Sequence, residues 1–253
     1  MNPIPDFNAP EFVVPAEPQP MNEFARWAGV FFSPGTTFKD IARHPRWFPP
    51  LLLTMAGTAG YLYAFSERIG WGSYIRQLME RNPSSNTSAP QLQTVFRALD
   101  EYGAVISICY GIIGPFLALM IISAVLKLMA DTILGAEIGF RRTLAAVSYG
   151  SLPNLLMAGL SVIVMYSKPP DEFDLQNPLM FNAGAFLAQS TPLWIKTLAG
   201  AFDMFSFWVM LLIAMGLSAA SPRKMSTGKA FGMILFPWAL ILILRTGAAA
   251  LSN

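Results

Sequence analysis

AVISICYGIIGPFLALMIISAVL, residues 104–126, runs 23 residues without a charged side chain. About 20 predominantly apolar residues let a helix cross the hydrocarbon of a bilayer, so this stretch reads as a membrane span. Its neighbours repeat the pattern. Residues 47–66, 143–167 and 204–222 are equally free of charge, and 230–244 continues past Arg245 through a run of small residues to Leu251. The reading is an all-α polytopic membrane protein. It is a bundle of five transmembrane helices at about 47–66, 104–126, 143–167, 204–222 and 230–251.

Composition agrees. Only 13% of the 253 residues are charged, against about 25% in soluble domains, while 54% are apolar. Mean hydropathy is +0.46. A net charge of +2 supplies no field for a polyanion, which excludes nucleic-acid binding. The single cysteine, Cys109, cannot form an intrachain disulfide, and the single histidine, His44, excludes zinc sites built on paired histidines. No nucleophile elbow or phosphate loop is present, so no catalytic residue, metal ligand or cofactor site is expected.

Residues 175–195 are also charge-free, but Gln176, Asn177, Pro178, Asn182, Gln189, Ser190, Thr191 and Pro192 make them too polar for a lipid-facing helix. An interfacial or re-entrant segment is expected there rather than a sixth span. Residues 1–21 hold six prolines and three acids and read as a disordered tail. Residues 22–46 form a separate amphipathic segment. Phe24, Trp27, Ala28 and Phe31 recur at helical spacing, and Ser33-Pro34 breaks the run. Thr36 and Thr37 are possible N-caps of a second short helix over 38–43. Two placements fit this pair: lying on the lipid headgroups, or packing on the bundle. The transmembrane domain is then 47–253.

The basic residues set the orientation. The short loops 127–142 and 221–229 carry Lys127, Arg141, Arg142, Arg223, Lys224 and Lys229, and short loops obey the positive-inside rule best. The N-terminus is therefore expected in the cytoplasm and the C-terminus on the opposite side of the cell's inner (plasma) membrane.

Polar groups and helix breakers inside spans are the first candidates for function, because lipid offers them no partner. Tyr149, Pro153 and Asn154 fall within the third span, Asp203 opens the fourth, and Pro115 interrupts the second. Small residues four apart, Ala56/Gly60, Ala214/Ser218 and Gly216/Ala220, suit close helix contacts. On the cytoplasmic side Trp27, Phe31, Phe38, Arg43, Arg141 and Arg142 are the candidate interaction residues.

Three stretches carry a family likeness. The first is Arg26-x-x-Gly29-Val30-Phe31-x-Ser33-Pro34 followed by Phe38-x-x-Ile41-Ala42-x-x-Pro45-x-Trp47. The second is Gly135-x-x-x-Gly139-Phe140-Arg141-Arg142-Thr143-Leu144 running into Ser148-Tyr149-Gly150-Ser151-Leu152-Pro153. The third is Asp203-x-Phe205-Ser206-x-Trp208, with Gly216-Leu217 and Gly228-Lys229-Ala230 beyond it. In this order they resemble bacterial members of the Yip-one (Ypt/Rab-interacting protein) domain family, over roughly 24–250. The resemblance implies five membrane helices and a cytoplasmic N-terminus. Eukaryotic members bind prenylated Rab GTPases in vesicle traffic, but their acidic–aromatic–Gly–Pro motif has no clear counterpart here. The family brings no established catalytic residues. The expected function is that of a non-enzymatic multi-pass membrane protein that binds the lipid bilayer and a protein partner or a second copy of itself. The alternative is a small-solute or ion permease using Asn154, Tyr149 and Asp203.

Overall fold

A computed structural model describes residues 19–81, 89–175, 177–188, 190–221 and 225–251. Most of the proline-rich tail, and with it Arg223 and Lys224 of the last basic loop, lies outside these residues. The described chain is helical. Two short helices, α1 (Glu23–Phe32) and α2 (Pro34–Arg43), precede α3 (Phe48–Arg68), α4 (Trp71–Arg81) and the long α5 (Ala89–Leu134). Then come α6 (Phe140–Gly150), α7 (Pro153–Ser167), α8 (Leu193–Gly200), α9 (Met204–Ala220) and α10 (Thr227–Leu251). One isolated bridge, Asn182 to Asp203, is the only β pairing among the described residues.

Local chemistry sets the boundaries. The Asn22 side chain accepts the Ala25 N–H at 2.8 Å and caps α1. Helix α2 starts earlier than expected. Pro34 occupies its first turn, where a fixed φ suits the helix. Thr36 and Thr37 are therefore not caps; both hydroxyls donate back to the Ser33 carbonyl, at 3.0 and 2.9 Å. The run 143–167 is two helices rather than one. Gly150 ends α6, and Pro153, which has no N–H to continue the ladder, starts α7. Asp203 caps α9, accepting the Ser206 N–H and hydroxyl at 2.8 Å each.

Three helical stretches are long and apolar enough to cross a membrane: Gln93–Leu134, Phe140–Ser167 and Thr227–Leu251. Met204–Ala220 is apolar but shorter, and α3 is not among the three; Pro49, Pro50, Thr54, Thr58, Tyr61 and Tyr63 dilute its hydropathy. The described residues of 175–195 supply no span; they hold one 3-10 turn, Ala183–Phe186, and the start of α8. Pro115 and Pro237 lie inside continuous helices.

The core sits where α5, α6, α9 and α10 meet, around Leu126, Ile138, Ala146, Ile213, Leu217 and Met233. Close approach depends on small residues. A Cβ on Gly216 would stand 2.8 Å from the Cβ of Ala146, and one on Gly111 would stand 2.4 Å from the Ala59 Cα. Ala214 and Ala220 are buried as the spacing suggested, whereas Ala56 and Gly60 face outward. The contact face of α3 is offset from that pair, through Gly57 against Leu155 and Ala59 against Gly111.

Candidate functional site

The amphipathic pair α1–α2 stands against the bundle as a hairpin. Arg26, Gly29 and Val30 form the buried stripe of α1, and Thr37, Phe38 and Ile41 that of α2. These spacings of three and four residues are one helix face. Val30, Phe38 and Ile41 join Ala145, Tyr149, Leu152 and Leu212 in one apolar cluster. Of the two placements open to the segment, packing on α6 and α9 is the one observed.

A charge sits in the middle of this apolar contact. Arg26 is 0% exposed. Its Nε donates to Asp40 Oδ2 at 2.8 Å, tying α1 to α2, and its Nη1 lies 3.4 Å from Glu23 Oε1. The Tyr149 hydroxyl donates to Glu23 Oε2, joining the pair to α6. Arg46 Nη1 approaches Glu23 at 3.6 Å and His44 Nδ1 approaches Asp40 at 3.7 Å. Burial works against the Arg26 charge. Hydrogen bonds to Tyr149 and Asp40 outweigh it and hold the guanidinium pKa above the ordinary arginine value. Desolvation of the ions offsets much of what such a network contributes to stability, but removing one member leaves its partners short of a counter-charge.

Tyr149 therefore belongs to the hairpin lock and lines none of the cavities described below. Pro153 is buried at the start of α7. Asn154 is exposed at the protein surface and borders two cavities. One, of about 310 Å³, lies between α3, α5 and α6–α7, and Pro115 is on its wall. Three of its hydroxyls are engaged: Thr54 donates to the Pro50 carbonyl, Ser148 to that of Trp47 and Ser151 to that of Val147. The other, of about 250 Å³, brings Asn154 together with Asp203, Asn177 and Asn182. Among the described residues no group of three His, Cys, Asp or Glu could hold a metal ion.

The cytoplasmic candidates separate as well. Trp27 and Phe31 are half-buried and border an apolar groove of about 440 Å³ with Leu152, Leu156, Leu160 and Ile163. Phe31 also meets Trp208 edge to face at 5.6 Å. Phe38, at 1% exposure, is core and cannot contact a partner. Arg43 and Arg142 flank one pocket, which Lys39 also lines, and Arg141 is exposed beside it. The loop before α6 is clasped by Lys127, which donates to Asp131 and to the Ile138 carbonyl, while Asp131 accepts the Ile138 N–H.

The sequence reading passed over Glu23, Asp40 and Lys39 as site residues, and used Arg26 only as part of a motif. One signal was available: Arg26 shares its helix face with Gly29 and Val30, so its charge points where apolar side chains point.

The order of these features along the chain has a counterpart among known proteins. The family model described as Yip1 domain matches residues 28–246, which is most of the chain. The chain belongs to the Yip1 domain family. The lock, the clasped loop and α9 all involve residues within that match, with Glu23 and Arg26 just before it. No curated protein and no solved structure matches the chain. The Yip1 domain family is not known as enzymatic, and its members interact with Rab GTPases and other proteins.

Proposed function

We propose that this Yip1 domain protein is a non-enzymatic, multi-pass component of the cell's inner (plasma) membrane that binds partners through its hairpin and basic loops. It crosses the bilayer five times, α3, α5, α6–α7, α9 and α10 being the crossings, with the N-terminus in the cytoplasm. Its domains are a tail over 1–21, the hairpin segment 22–46 and the membrane domain 47–253. The observation that carries the reading is the hairpin itself. It is rigidly docked through Arg26 and Phe38, yet its outer side presents Phe24 at 76% and Phe32 at 88% exposure. Two exposed phenylalanines on a locked scaffold suit a lipid or protein contact better than a loose tether does.

Deleting 22–46 would strip the cover from Tyr149, Leu152 and Leu212 and unfold what it is meant to test. A photo-crosslinker at position 32 is the cleaner probe. It should capture a defined protein or a second copy of the chain, and capture should fall when Phe24 and Arg43 are changed to Ser and Gln. Capture of solvent alone contradicts the reading.

A second reading has one observation behind it: Asn154 and Asp203, expected to share a solute path, border the same cavity. As a permease the protein would carry flux in proteoliposomes that Asn154→Leu abolishes. Flux equal to that of empty vesicles removes this reading.

A further inference from the structure

Three of the eight described cations on the face proposed as cytoplasmic are paired. Arg26 meets Glu23 and Asp40, Arg46 meets Glu23, and Lys127 meets Asp131. Lys39, Arg43 and Arg142 form no ion pair among the described residues. These three surround one pocket of about 270 Å³. Lys39 and Arg43 reach it from successive turns of α2, and Arg142 from the first turn of α6. Its remaining wall is Ala42, Ala219, Ala220 and Ser221. Among the described residues the lining contains no acid, and the alanines on α2 and α9 leave the space open where larger side chains would fill it. The hairpin lock fixes α2 against α6 and α9, so the three cations are brought together by the fold rather than by sequence.

From this we infer that the pocket is a phosphate-binding site. Two guanidinium groups and one ammonium around an acid-free recess match a phosphate oxyanion, with the arginines able to bind it through paired N–H groups. The pocket lies at the C-terminal end of α9 and the N-terminal end of α6. On the proposed topology, on which this step rests, that is the cytoplasmic headgroup level. The phosphate is then that of an anionic phospholipid or of a soluble phosphate compound, and both offer the same chemistry to the site.

The test uses the purified full-length chain in neutral detergent, titrated with short-chain phosphatidylglycerol and, separately, with inorganic phosphate. Each lost cation near such a surface weakens binding by about fivefold, so Arg43→Gln with Arg142→Gln should weaken it roughly 25-fold. Arg43→Lys with Arg142→Lys should retain most of the binding, and Arg97→Gln, a cation remote from the pocket, should leave it unchanged. All these side chains are exposed, so unliganded thermal midpoints should match the parent and report that each variant folds. Tight binding of phosphatidylglycerol with weak binding of phosphate assigns the site to lipid. Equal binding of both assigns it to a soluble phosphate. Binding by the Gln pair equal to that of the parent, or binding of neither probe, overturns the inference. The measurement is independent of which side the pocket faces, which a reporter fused after Asn253 reads separately. Failure of the site and failure of the topology are thus distinct results.

Discussion

Two regions of this molecule solve the same problem in opposite ways. Where α1 and α2 meet α6 and α9, apolar side chains are buried inside protein: Val30, Phe38, Ala145, Tyr149, Leu212 and Leu217 are all nearly inaccessible. Along α5 and α10 the apolar side chains point outward, including Ile106, Ile113, Leu117, Ile121, Leu240 and Ile243. Only 17% of the most apolar window of either helix is buried in the protein. In the first region water exclusion and an ion network hold short helices that could not stand alone. In the second, length and lipid-facing apolar surface suffice, and contact is made at a few small residues. Arg26 is tolerated fully buried in the first because its partners come with it, whereas Lys127, Asp131 and Arg245 of the second keep contact with the surface.

The largest effect expected is on the locked region. Arg26→Met takes the buried cation from Asp40 and leaves Glu23 only the exposed Arg46, at a cost of about 3 kcal/mol. Thermal unfolding in detergent should register it, and a midpoint within error of the parent would show that the lock holds nothing. In the lipid-facing region the corresponding weak point is a contact of backbones. Gly111→Val on α5 places atoms into Ala59 of α3 and should cost about 1–3 kcal/mol, whereas Gly60→Ala, on the outer side of α3, should be neutral. Equal losses at the two glycines would mean that the α3–α5 register is different.

Smaller effects sharpen the contrast. Phe32→Ser should change stability by no more than about 0.5 kcal/mol, since the side chain is exposed, while reducing crosslinking to a partner. Changing pH should do least. The folded pKa of Arg26 lies above its ordinary value, so its contribution is complete below that value and is lost only as pH rises beyond it. Between about pH 7 and about pH 9 the Arg26→Met difference in midpoint should therefore stay constant. A difference that shrinks across that interval would place another group at the centre of the lock.

The helices of the lipid-facing region were legible because absence of charge over some twenty residues is a property of the chain alone. Expected spans at 104–126 and 230–251 fall within α5 and α10, two of the three stretches long and apolar enough to cross a membrane, whereas those at 47–66 and 204–222 fall on helices, α3 and α9, that are not among the three. Charge marks where a span ends but not where a helix ends. Thus α5 continues on its N-terminal side through Glu101, Asp100 and Arg97 to reach 46 residues. The Pro153 interruption was visible, but a proline inside a helix has two outcomes, a break as at Pro153 or a continuous helix as at Pro115 and Pro237, and the residue alone does not choose between them. The lock was not legible. Tyr149 and Glu23 are 126 residues apart, and no local pattern joins them. Phe38 looked like an exposed aromatic because only the bundle, absent from a local reading, covers it. The phosphate pocket draws on α2, α6 and α9 and exists only once the hairpin is docked.

Amide hydrogen exchange of the full chain in lipid nanodiscs tests that docking most directly. Peptides from 23–43 should exchange as slowly as those from α9 in the parent protein. In Arg26→Met they should exchange fast while α5 and α10 stay protected. A hairpin that exchanges freely in the parent, or one whose protection survives the loss of Arg26, would contradict the account.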